Sequence, residues 1–389
     1  MRIRVALSVL LLVVVGCKKE PVAVAPVDAA PPPAASSAEP PPPPVTPWCD
    51  RAACDDKCTC GEASACTAGK CVRDAAWKVE ELALGAGTFA CARYTNGKVQ
   101  CAGKNAMAQL GRGTRTSPTA VNPPDESPAS VKGVTDATRL VAGTAHACAL
   151  VKDGHVWCWG TSKQGETGAG AFDESTTARV VADLDDATTL AAGYSHTCAI
   201  KKAGSVVCWG FNDRGQLGDG TKENRATPVV VQGLTGATRL ALALHHSCAL
   251  AAGGTVTCWG QRGGANGIAA PLPAVPKSDL LAVNQDEVCV GTGGKVSCYG
   301  PSMKKTLVPV PGFTDATYIA GGDGLFCAFK KNTSVTCGDW WAAADGAVTD
   351  KAKEARLVAV GGSFECIVAK DDTITCNEKL RPRAVIERL

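Results

Sequence analysis

The residues of this chain best suited to chemistry are cysteines that recur in pairs. In three stretches a histidine stands two positions before the first cysteine and Trp-Gly follows the second: HACALVKDGHVWCWG from His146, HTCAIKKAGSVVCWG from His196 and HSCALAAGGTVTCWG from His246. Cysteine and histidine are ligands of structural zinc sites, and paired cysteines also form redox centres or disulfides. The spacing within each pair has to distinguish these three possibilities.

The spacing fits a β-hairpin. If Cys198 lies opposite Cys208 on antiparallel strands, the chain between them closes with a three-residue loop that ends at Gly204. The last residue of such a loop takes a left-handed backbone conformation, which glycine adopts without steric cost. Two later copies carry Thr333 and Asp372 there, which leaves the conformation of their turns open. Three other copies have glycine at this place: Gly97, Gly154 and Gly254.

The cysteines of one pair are one residue closer together in sequence than those of the other pairs, and the same hairpin geometry applies to them. Between Cys289 and Cys298 the loop shrinks to Gly293-Gly294, a two-residue turn, so the cysteines stay opposite each other. Directly opposed positions have Cα atoms about 4.5 Å apart, which a disulfide can bridge. We therefore predict a disulfide across the inner hairpin of each repeat. The predicted pairs are Cys91–Cys101, Cys148–Cys158, Cys198–Cys208, Cys248–Cys258, Cys289–Cys298, Cys327–Cys337 and Cys366–Cys376.

The same register opposes large side chains with small ones, as a packed sheet requires. The three tryptophans Trp159, Trp209 and Trp259 fall opposite Ala147, Thr197 and Ser247, and the three histidines fall opposite Gly160, Gly210 and Gly260, which leave room for an imidazole. This pairing favours packed histidines over the alternative of metal ligands. Since no motif of a nucleophilic or metal-dependent hydrolase occurs either, we expect no catalytic residue, no metal and no cofactor.

The N-terminus indicates the compartment. Arg2 and Arg4 precede an apolar run from Val5 to Val15 that is too short to span a bilayer comfortably and fits a secretory signal. The segment Val14–Cys17 resembles a bacterial lipobox, which implies cleavage before a lipidated Cys17. We expect residues 1–17 to be a lipoprotein signal peptide, with an ordinary signal peptide or an uncleaved anchor as alternatives. The mature chain would then lie outside the cytoplasm, lipid-anchored in a bacterial cell envelope, at the outer membrane or cell surface, where disulfides persist.

Two short regions follow. Residues 18–47 are rich in proline and alanine, which favours an extended linker of about 3.1 Å per residue. Residues 48–72 form a small cysteine-rich module with too few apolar residues for a core, so we expect three disulfides of undetermined pairing. A zinc site is the alternative there. The six cysteines of the module are Cys49, Cys54, Cys58, Cys60, Cys66 and Cys71.

Residues 77–389 consist of repeats with about four short strand patterns each. The chain has 42 glycines and only 5% aromatic residues, which suits a turn-rich β protein. A four-stranded unit that occurs seven times is the pattern of a β-propeller. We therefore predict an all-β, seven-bladed propeller, preceded by the small module and the linker.

Part of the third repeat resembles a known family. The segment CWGFNDRGQLGDGT…TPVVV, Cys208–Val231, resembles the repeat of the regulator of chromosome condensation family, as does CAGKNAMAQLGRGT from Cys101. GYSHTCAI matches the segment that precedes it in that repeat. The resemblance implies a seven-bladed propeller, in agreement with the seven cysteine pairs. It is strong in the first four copies and weak in the last three, where the Gln-Leu-Gly run is missing.

The architecture favours binding over catalysis. With a net charge of +3 and no basic block, the chain lacks the footprint of a nucleic-acid binder. A lipid anchor on the membrane, a linker and a rigid ring indicate a scaffold that presents one propeller face to a protein or a cell-wall component. The alternatives are a passive structural lipoprotein and, less favoured, a secreted enzyme or enzyme inhibitor.

Three segments stand out from the repeats. Trp340 and Trp341 interrupt the pattern, and one of them is a candidate anchor for a partner. The long connection from Arg112 to Thr135 is either a candidate recognition loop or a plain surface insertion. The C-terminal residues Arg383–Leu389 resemble the strand that closes each repeat, so we predict that they pair near the first blade and help to shut the ring.

Overall fold

The computed structural model describes the repeats and part of the small module. The described residues are 64–67, 70–73, 77–86, 88–117, 126–261, 263–264, 267–272, 275–285, 287–300, 306–339, 349–362, 364–377 and 389. The predictions made for residues 1–47, for Cys49, Cys54, Cys58 and Cys60, for Trp340 and Trp341, and for residues 383–388 lie outside them. Within the small module, β1 (Ser64–Thr67) and β2 (Lys70–Arg73) pair antiparallel, with Cys66 directly opposite Cys71.

Seven antiparallel sheets follow along the chain, and each is a meander in which consecutive strands are neighbours. The first four blades are β3 (Val79–Gly85), β4 (Phe89–Tyr94), β5 (Val99–Gly103), β6 (Glu126–Ser130); β7 (Ala137–Ala142), β8 (His146–Val151), β9 (Val156–Gly160), β10 (Ser175–Val180); β11 (Ala187–Ala192), β12 (His196–Lys201), β13 (Val206–Gly210), β14 (Arg225–Val230); and β15 (Ala237–Leu242), β16 (His246–Ala251), β17 (Val256–Gly260), β18 (Ala270–Pro271).

The last three blades are more divergent in sequence but keep the same order of strands. They are β19 (Leu280–Val283), β20 (Val288–Thr292), β21 (Lys295–Tyr299), β22 (Leu307–Pro309); β23 (Ala316–Gly321), β24 (Leu325–Lys330), β25 (Val335–Asp339), β26 (Thr349–Ala352); and β27 (Ala355–Gly361), β28 (Phe364–Ala369), β29 (Ile374–Cys376). The seventh blade thus has three strands among the described residues. In this part of the chain, no helix has the length and apolar character needed to cross a membrane.

The first strands of the blades form the inner wall of the ring. Each contacts the first strand of the next blade, and β27 of the seventh blade contacts β3 of the first, which closes the circle. The predicted fold class, an all-β seven-bladed propeller, is confirmed. Because the first strand is innermost, the cysteine-bearing hairpin of the second and third strands lies farther out. The expectation that it is the inner hairpin of its blade is therefore wrong.

Every blade carries its predicted disulfide between the second and third strands. In all seven the two cysteines are register partners, and their Cα atoms lie 4.0–4.1 Å apart. The sulfurs are buried between neighbouring sheets, so the cross-link is part of the core. A covalent closure of a hairpin of this length contributes about 2–3 kcal/mol in the chain-entropy description.

The hairpin turns keep one conformation whether or not glycine is present. Gly204 has φ +81°, and Thr333 and Asp372, at the equivalent position, have φ +63° and +64°. The next blade accounts for this constancy at Thr333. The carbonyl oxygen of Gly204 accepts the N–H of Gly236 at 3.1 Å, and that of Thr333 accepts the N–H of Ala355 at 2.9 Å. An inter-blade hydrogen bond thus supports a left-handed residue that local propensity disfavours.

The repeated tryptophans join neighbouring blades. Trp209 is fully buried and pairs with Thr197 in the register predicted from sequence. Its indole N–H donates to the carbonyl oxygen of Glu166 in the preceding blade at 3.0 Å. The same bond occurs in two other interfaces, from Trp159 to Gln109 at 3.0 Å and from Trp259 to Gln216 at 2.8 Å. We call this contact the tryptophan latch.

The Gln-Leu-Gly motif builds the acceptor side of the latch. In the third blade, Asn212 Oδ1 accepts the N–H of Leu217 at 2.9 Å, and Gln216 Oε1 accepts the N–H of Arg214 at 2.9 Å. These two side chains fold the turn so that its carbonyl is directed at the next blade. Gly218, with φ +68°, lies so close to Trp259 that an added methyl group would be 2.8 Å from the indole ring.

Two of the divergent blades fill the place of the tryptophan in another way. In the fifth blade Tyr299 replaces the tryptophan and remains buried. In the sixth blade the sizes are exchanged across the hairpin, because Phe326 is large and its partner Gly338 is small. Phe326 is 2% exposed. The interior volume is therefore filled although the sequence motif is lost.

Leu389 lies at the junction of the first and last blades. It is fully buried in a cluster with Trp77 and Val79 of the first blade and Val368 and Ile374 of the seventh. The strand predicted at residues 383–388 lies outside the described residues. The position of Leu389 agrees with a role of this segment in ring closure.

Replacing Leu389 with alanine should lower the free energy of unfolding by about 2–4 kcal/mol, since a fully buried leucine leaves a cavity that the rigid junction cannot fill. Denaturant unfolding with the disulfides intact measures the change. Val230→Ala, at an outer-strand residue that is 59% exposed, is the control and should have little effect. Equal stability of Leu389→Ala and the parent would show that the segment does not close the ring.

The tight fit at the latch predicts a contrast between two glycines of one loop. Gly168 (φ +66°) has Trp209 atoms 2.8 Å from an added methyl, whereas Gly170 (φ +88°) has nothing within 4 Å. Both alanine variants suffer the backbone strain, but only Gly168→Ala also collides with the indole. We expect Gly168→Ala to cost about 1–3 kcal/mol more than Gly170→Ala. Similar losses in thermal unfolding for both variants would contradict the latch.

Candidate functional site

The three repeated histidines lie in the blade interfaces rather than on a common centre. His146 Nε2 is 2.9 Å from Thr197 Oγ1, and His196 Nε2 is 2.8 Å from Ser247 Oγ. Each contact joins a histidine to the hydroxyl that stands opposite the tryptophan of the next blade. His146, His196 and His246 are all fully buried. Within the described ranges, no group of three or more His, Cys, Asp or Glu side chains is arranged to hold a metal ion.

Burial keeps the imidazoles of His146 and His196 neutral. It lowers the pKa of His146 to about 4 and, together with the neighbouring histidines, that of His196 to about 3. A neutral imidazole ring can form one hydrogen bond with a hydroxyl without the cost of burying a charge. The geometry therefore gives His146 and His196 a packing role.

The explanation proposed from sequence for Gly160 and Gly210 is wrong. A methyl group on Gly210 would lie 2.5 Å from the carbonyl oxygen of Ser195, and its φ is +105°, so the backbone requires glycine there. Space for the imidazole comes instead from Gly143, at the end of the first strand. A methyl group there would lie 2.2 Å from His146 Cε1.

The long connection from Arg112 to Thr135 is also more ordered than an insertion. It contains β6, the fourth strand of the first blade. The Arg112 guanidinium donates to the carbonyl oxygens of Cys101 and Ser127, which ties the start of the segment to the blade. The candidate recognition loop is thereby reduced to the part between these anchors, where residues 118–125 lie outside the described residues.

A cavity at one end of the propeller axis is the strongest site candidate in the described structure. It holds about 440 Å³ of space, including its open mouth, and every blade contributes to its wall. The contributing part is the end of the first strand and the turn that follows. We call it the axial cavity. Its polar side chains are Thr144, Tyr194, Asn284, Gln285 and Asp323.

Glycines allow the blades to approach one another at this cavity. A methyl group on Gly322 would lie 2.1 Å from the carbonyl oxygen of Gly362 in the next blade, and one on Gly193 would lie 2.4 Å from that of Ala243. Where neighbouring sheets come this close, at Gly193 and Gly322, there is no space for a side chain. The wall of the cavity therefore consists largely of backbone and small residues.

Asp323 has unusual surroundings for a carboxylate. Its backbone N–H donates to the carbonyl oxygen of Gly362 at 2.6 Å, but its Oδ1 is buried without a hydrogen-bond partner. Burial raises the pKa of Asp323 to about 6. The hydroxyl of Thr144 in the same cavity is also buried without a partner. Both residues line the cavity, and each has one buried oxygen with unused hydrogen-bonding capacity.

A second, charged level lies nearer the start of the first strands. Glu81, Arg139, Arg239 and Tyr318 occupy equivalent register positions in four different blades. Burial raises the pKa of Tyr318, and the charges of Glu81, Arg139 and Arg239 also act on it. Those groups come from blades around the ring, so they meet across the axis. Tyr318 is nevertheless 47% exposed, as expected of a side chain in a solvent-filled channel.

The acidic member of this level is held in place. Glu81 Oε2 accepts the Nε–H of Arg93 at 3.2 Å and the backbone N–H of Leu140 at 2.8 Å. Burial raises its pKa despite the opposing effect of Arg93. No described residue forms an ion pair with Arg139 or Arg239, so this level of the channel carries exposed positive charge.

Sequence reasoning did not single out either axial level. The position four residues before the first cysteine of each pair is Thr144 in the second blade, Tyr194 in the third, Gln285 in the fifth and Asp323 in the sixth. In the second, third and sixth blades the preceding residue is glycine each time, whereas this one changes. That contrast was the available signal, but only the ring brings these positions together.

The comparisons with known proteins agree with the repeat and the fold. Two models of the regulator of chromosome condensation (RCC1) repeat match residues 137–166 and 187–216, and residues 203–250. Human WBSCR16 is similar in structure, with a TM-score of 0.62 and 18% identity over 75% of this chain and 87% of that one. Prp20p of Saccharomyces cerevisiae has a TM-score of 0.51 and 20% identity over 63% and 67%. No curated protein matches the chain in sequence. The resemblance inferred from Cys208–Val231 is confirmed.

The buried histidines predict a loss of stability in acid. Their pKa in the folded state lies below the ordinary value of 6.5, so between about pH 6.5 and pH 4 the unfolded chain binds more protons. Stability is complete above pH 6.5 and falls as the pH is lowered. His196→Gln should reduce the loss between pH 7 and 4.5 by about 2–3 kcal/mol, at about 1.4 kcal/mol per pKa unit.

Guanidinium unfolding at the two pH values measures this difference. Carboxyl groups with a raised pKa, such as Glu81 and Asp323, titrate with the opposite sign, but they are common to parent and variant and cancel. His155→Gln is the matched control, because the His155 side chain is 42% exposed in a hairpin turn. A pH dependence unchanged by His196→Gln would refute the assignment.

Proposed function

Because this chain carries regulator of chromosome condensation repeats in a seven-bladed propeller, we propose that it is a lipid-anchored binding scaffold of a bacterial cell envelope. Its rigid ring presents the axial end to a protein partner and acts by binding rather than by catalysis. The proposal extends the expectations from the N-terminal sequence, in which Cys17 carries the lipid and residues 18–47 hold the ring away from the membrane.

One observation carries the proposal. The framework residues of the blades are repeated, whereas the residues at the axial cavity differ from blade to blade. Thr144, Tyr194, Gln285 and Asp323 stand at one equivalent position and face one cavity. Recognition of an asymmetric partner requires different residues around the ring. The variation therefore supports a binding surface at this end of the ring.

The rigidity of the ring supports the same function. Seven cross-strand disulfides and the tryptophan latches hold the axial turns on a preorganised frame, which lowers the entropy lost on binding. Disulfides of this density also suit an oxidising compartment. Prp20p, whose fold is similar, was studied for its binding to Gsp1p and histones. We take from this only the class of partner, a protein.

Site-specific crosslinking tests the binding face. A photoreactive residue at Gln285, which is exposed at the axial cavity, should yield a defined protein adduct in whole cells. The same group at Val230, on an outer strand, is the control and should not. Mass spectrometry identifies the adduct. Identical patterns from both positions, or no adduct from Gln285, would count against a protein partner at this face, and retention on purified cell wall would favour the cell-wall alternative.

The anchor is tested separately. Cys17→Ala should move the protein from the membrane fraction to the soluble extract, because the acylated residue is lost and the apolar run before it is too short for a stable span. Cell fractionation and the mass of the N-terminal peptide measure this. A membrane-bound Cys17→Ala protein with an unprocessed N-terminus would support an uncleaved anchor instead.

A further inference from the structure

Asp323 is a half-buried residue whose carboxylate has one fully buried oxygen, and its surroundings differ from those of other carboxylates in the described chain. Glu81 is paired with Arg93, and Glu365 contacts Lys351 at 3.2 Å. The carboxylate of Glu166 accepts the backbone N–H of Gln164 at 2.7 Å. Asp323 Oδ1 has no such donor, although it lies in the wall of a cavity. Leaving a carboxylate desolvated and unpaired costs stability, so a function has to account for it.

The described residues that line the cavity with Asp323 offer hydrogen-bond acceptors and no positively charged side chain. Among the described residues that line the axial cavity, Asp323 alone has a charged side chain, and Thr144 lies in the same wall. The blade ends add closely approaching backbone carbonyls, such as those of Ala243 and Gly362. An oxygen-rich pocket with a single negative charge is complementary to a monovalent cation that donates hydrogen bonds.

A primary ammonium group fits this pocket better than a metal ion. It carries one charge and three N–H donors, which match one carboxylate and neutral oxygens. Divalent cations usually take several carboxylates, and the described residues place no second one in this wall. Apolar side chains, among them Leu84, Leu242 and Val283, line the rest of the cavity and suit an aliphatic chain behind the charge.

We propose that the axial cavity binds a primary ammonium group on an unbranched aliphatic chain, with the Asp323 carboxylate as counter-ion. The exposed charges of Arg139 and Arg239 at the other level repel a cation, so the group enters from the Asp323 end. If the partner is a protein, as in the proposed function, the group that it inserts is a lysine side chain or an amino terminus. Only this identification rests on the proposed function. Binding of a free amine requires no partner.

The raised pKa of Asp323 agrees with this site. Burial of the carboxylate lifts its pKa to about 6, so the group is still mostly ionised at pH 7.5. A bound cation would relieve the same desolvation that raises the pKa. Removing the charge from an empty site should therefore not destabilise the fold, which makes Asp323→Asn a usable variant.

Calorimetric titration of the purified protein at pH 7.5 with pentylammonium and with 1-pentanol tests the site. The two probes have the same chain and differ in charge. We expect saturable binding of pentylammonium to the parent and weak or no binding of pentanol. Pentylammonium should bind Asp323→Asn at least about tenfold more weakly, because one charge-assisted contact is lost. Asp173→Asn, at a surface carboxylate that is 55% exposed, should bind the amine as tightly as the parent does.

Two further probes distinguish the sources of the amine. Nα-acetyl-lysinamide offers only the side-chain ammonium, and Nε-acetyl-lysinamide offers only the α-ammonium. Binding of either one that depends on Asp323 supports the site, and the stronger binder identifies the source.

Equal affinity of parent and Asp323→Asn, equal affinity for pentanol, or no saturable binding of pentylammonium would overturn the proposal. Amine binding without a crosslinked partner would leave this site in place and count against the proposed function. A partner crosslinked equally well to Asp323→Asn would do the reverse.

Discussion

Seven sheets that pack face to face around one axis come closest where their first strands end. At the closest approaches there is room only for backbone and hydrogen atoms, which is why Gly193 and Gly322 abut carbonyl oxygens of the neighbouring blades. The same convergence brings seven turns from distant parts of the sequence to one cavity. Closure also has to be tight, and the contact of the first and last blades, with Leu389 buried between them, provides it.

The repeated residues act mainly between blades. An indole N–H from one blade meets a carbonyl of the previous blade, and a histidine meets a hydroxyl of the next. The disulfides complement these contacts by joining the two middle strands within a sheet. With stability supplied by repeated interfaces, the axial turns are free to differ. That division explains how one ring combines a regular frame with a cavity in whose wall Asp323 is the single charge among the described residues.

Much of the fold could be predicted from the chain because its rules are local. The spacing of Cys198 and Cys208 defines a hairpin, and the one-residue-shorter pair at Cys289 confirms that the cysteines must oppose each other. The role predicted for Gly210, to leave room for the imidazole, was wrong because it was derived from the strand register alone. The strand register shows which residue lies opposite Gly210. Whether glycine is required there depends on its φ angle and on the nearby carbonyl oxygen of Ser195, neither of which follows from the register.

Spacing along the chain was enough to specify strands, turns, disulfides and the number of blades, because hairpin geometry relates residues only about ten positions apart. It could not specify what the tryptophans bind, since Trp209 and Glu166 lie 43 positions apart and meet only when two sheets stack. The axial cavity is even harder to predict from local sequence patterns, because its wall contains Thr144 and Asp323 from blades on different sides of the ring. Such a site exists only after closure, because closure alone converts seven separate strand ends into one wall.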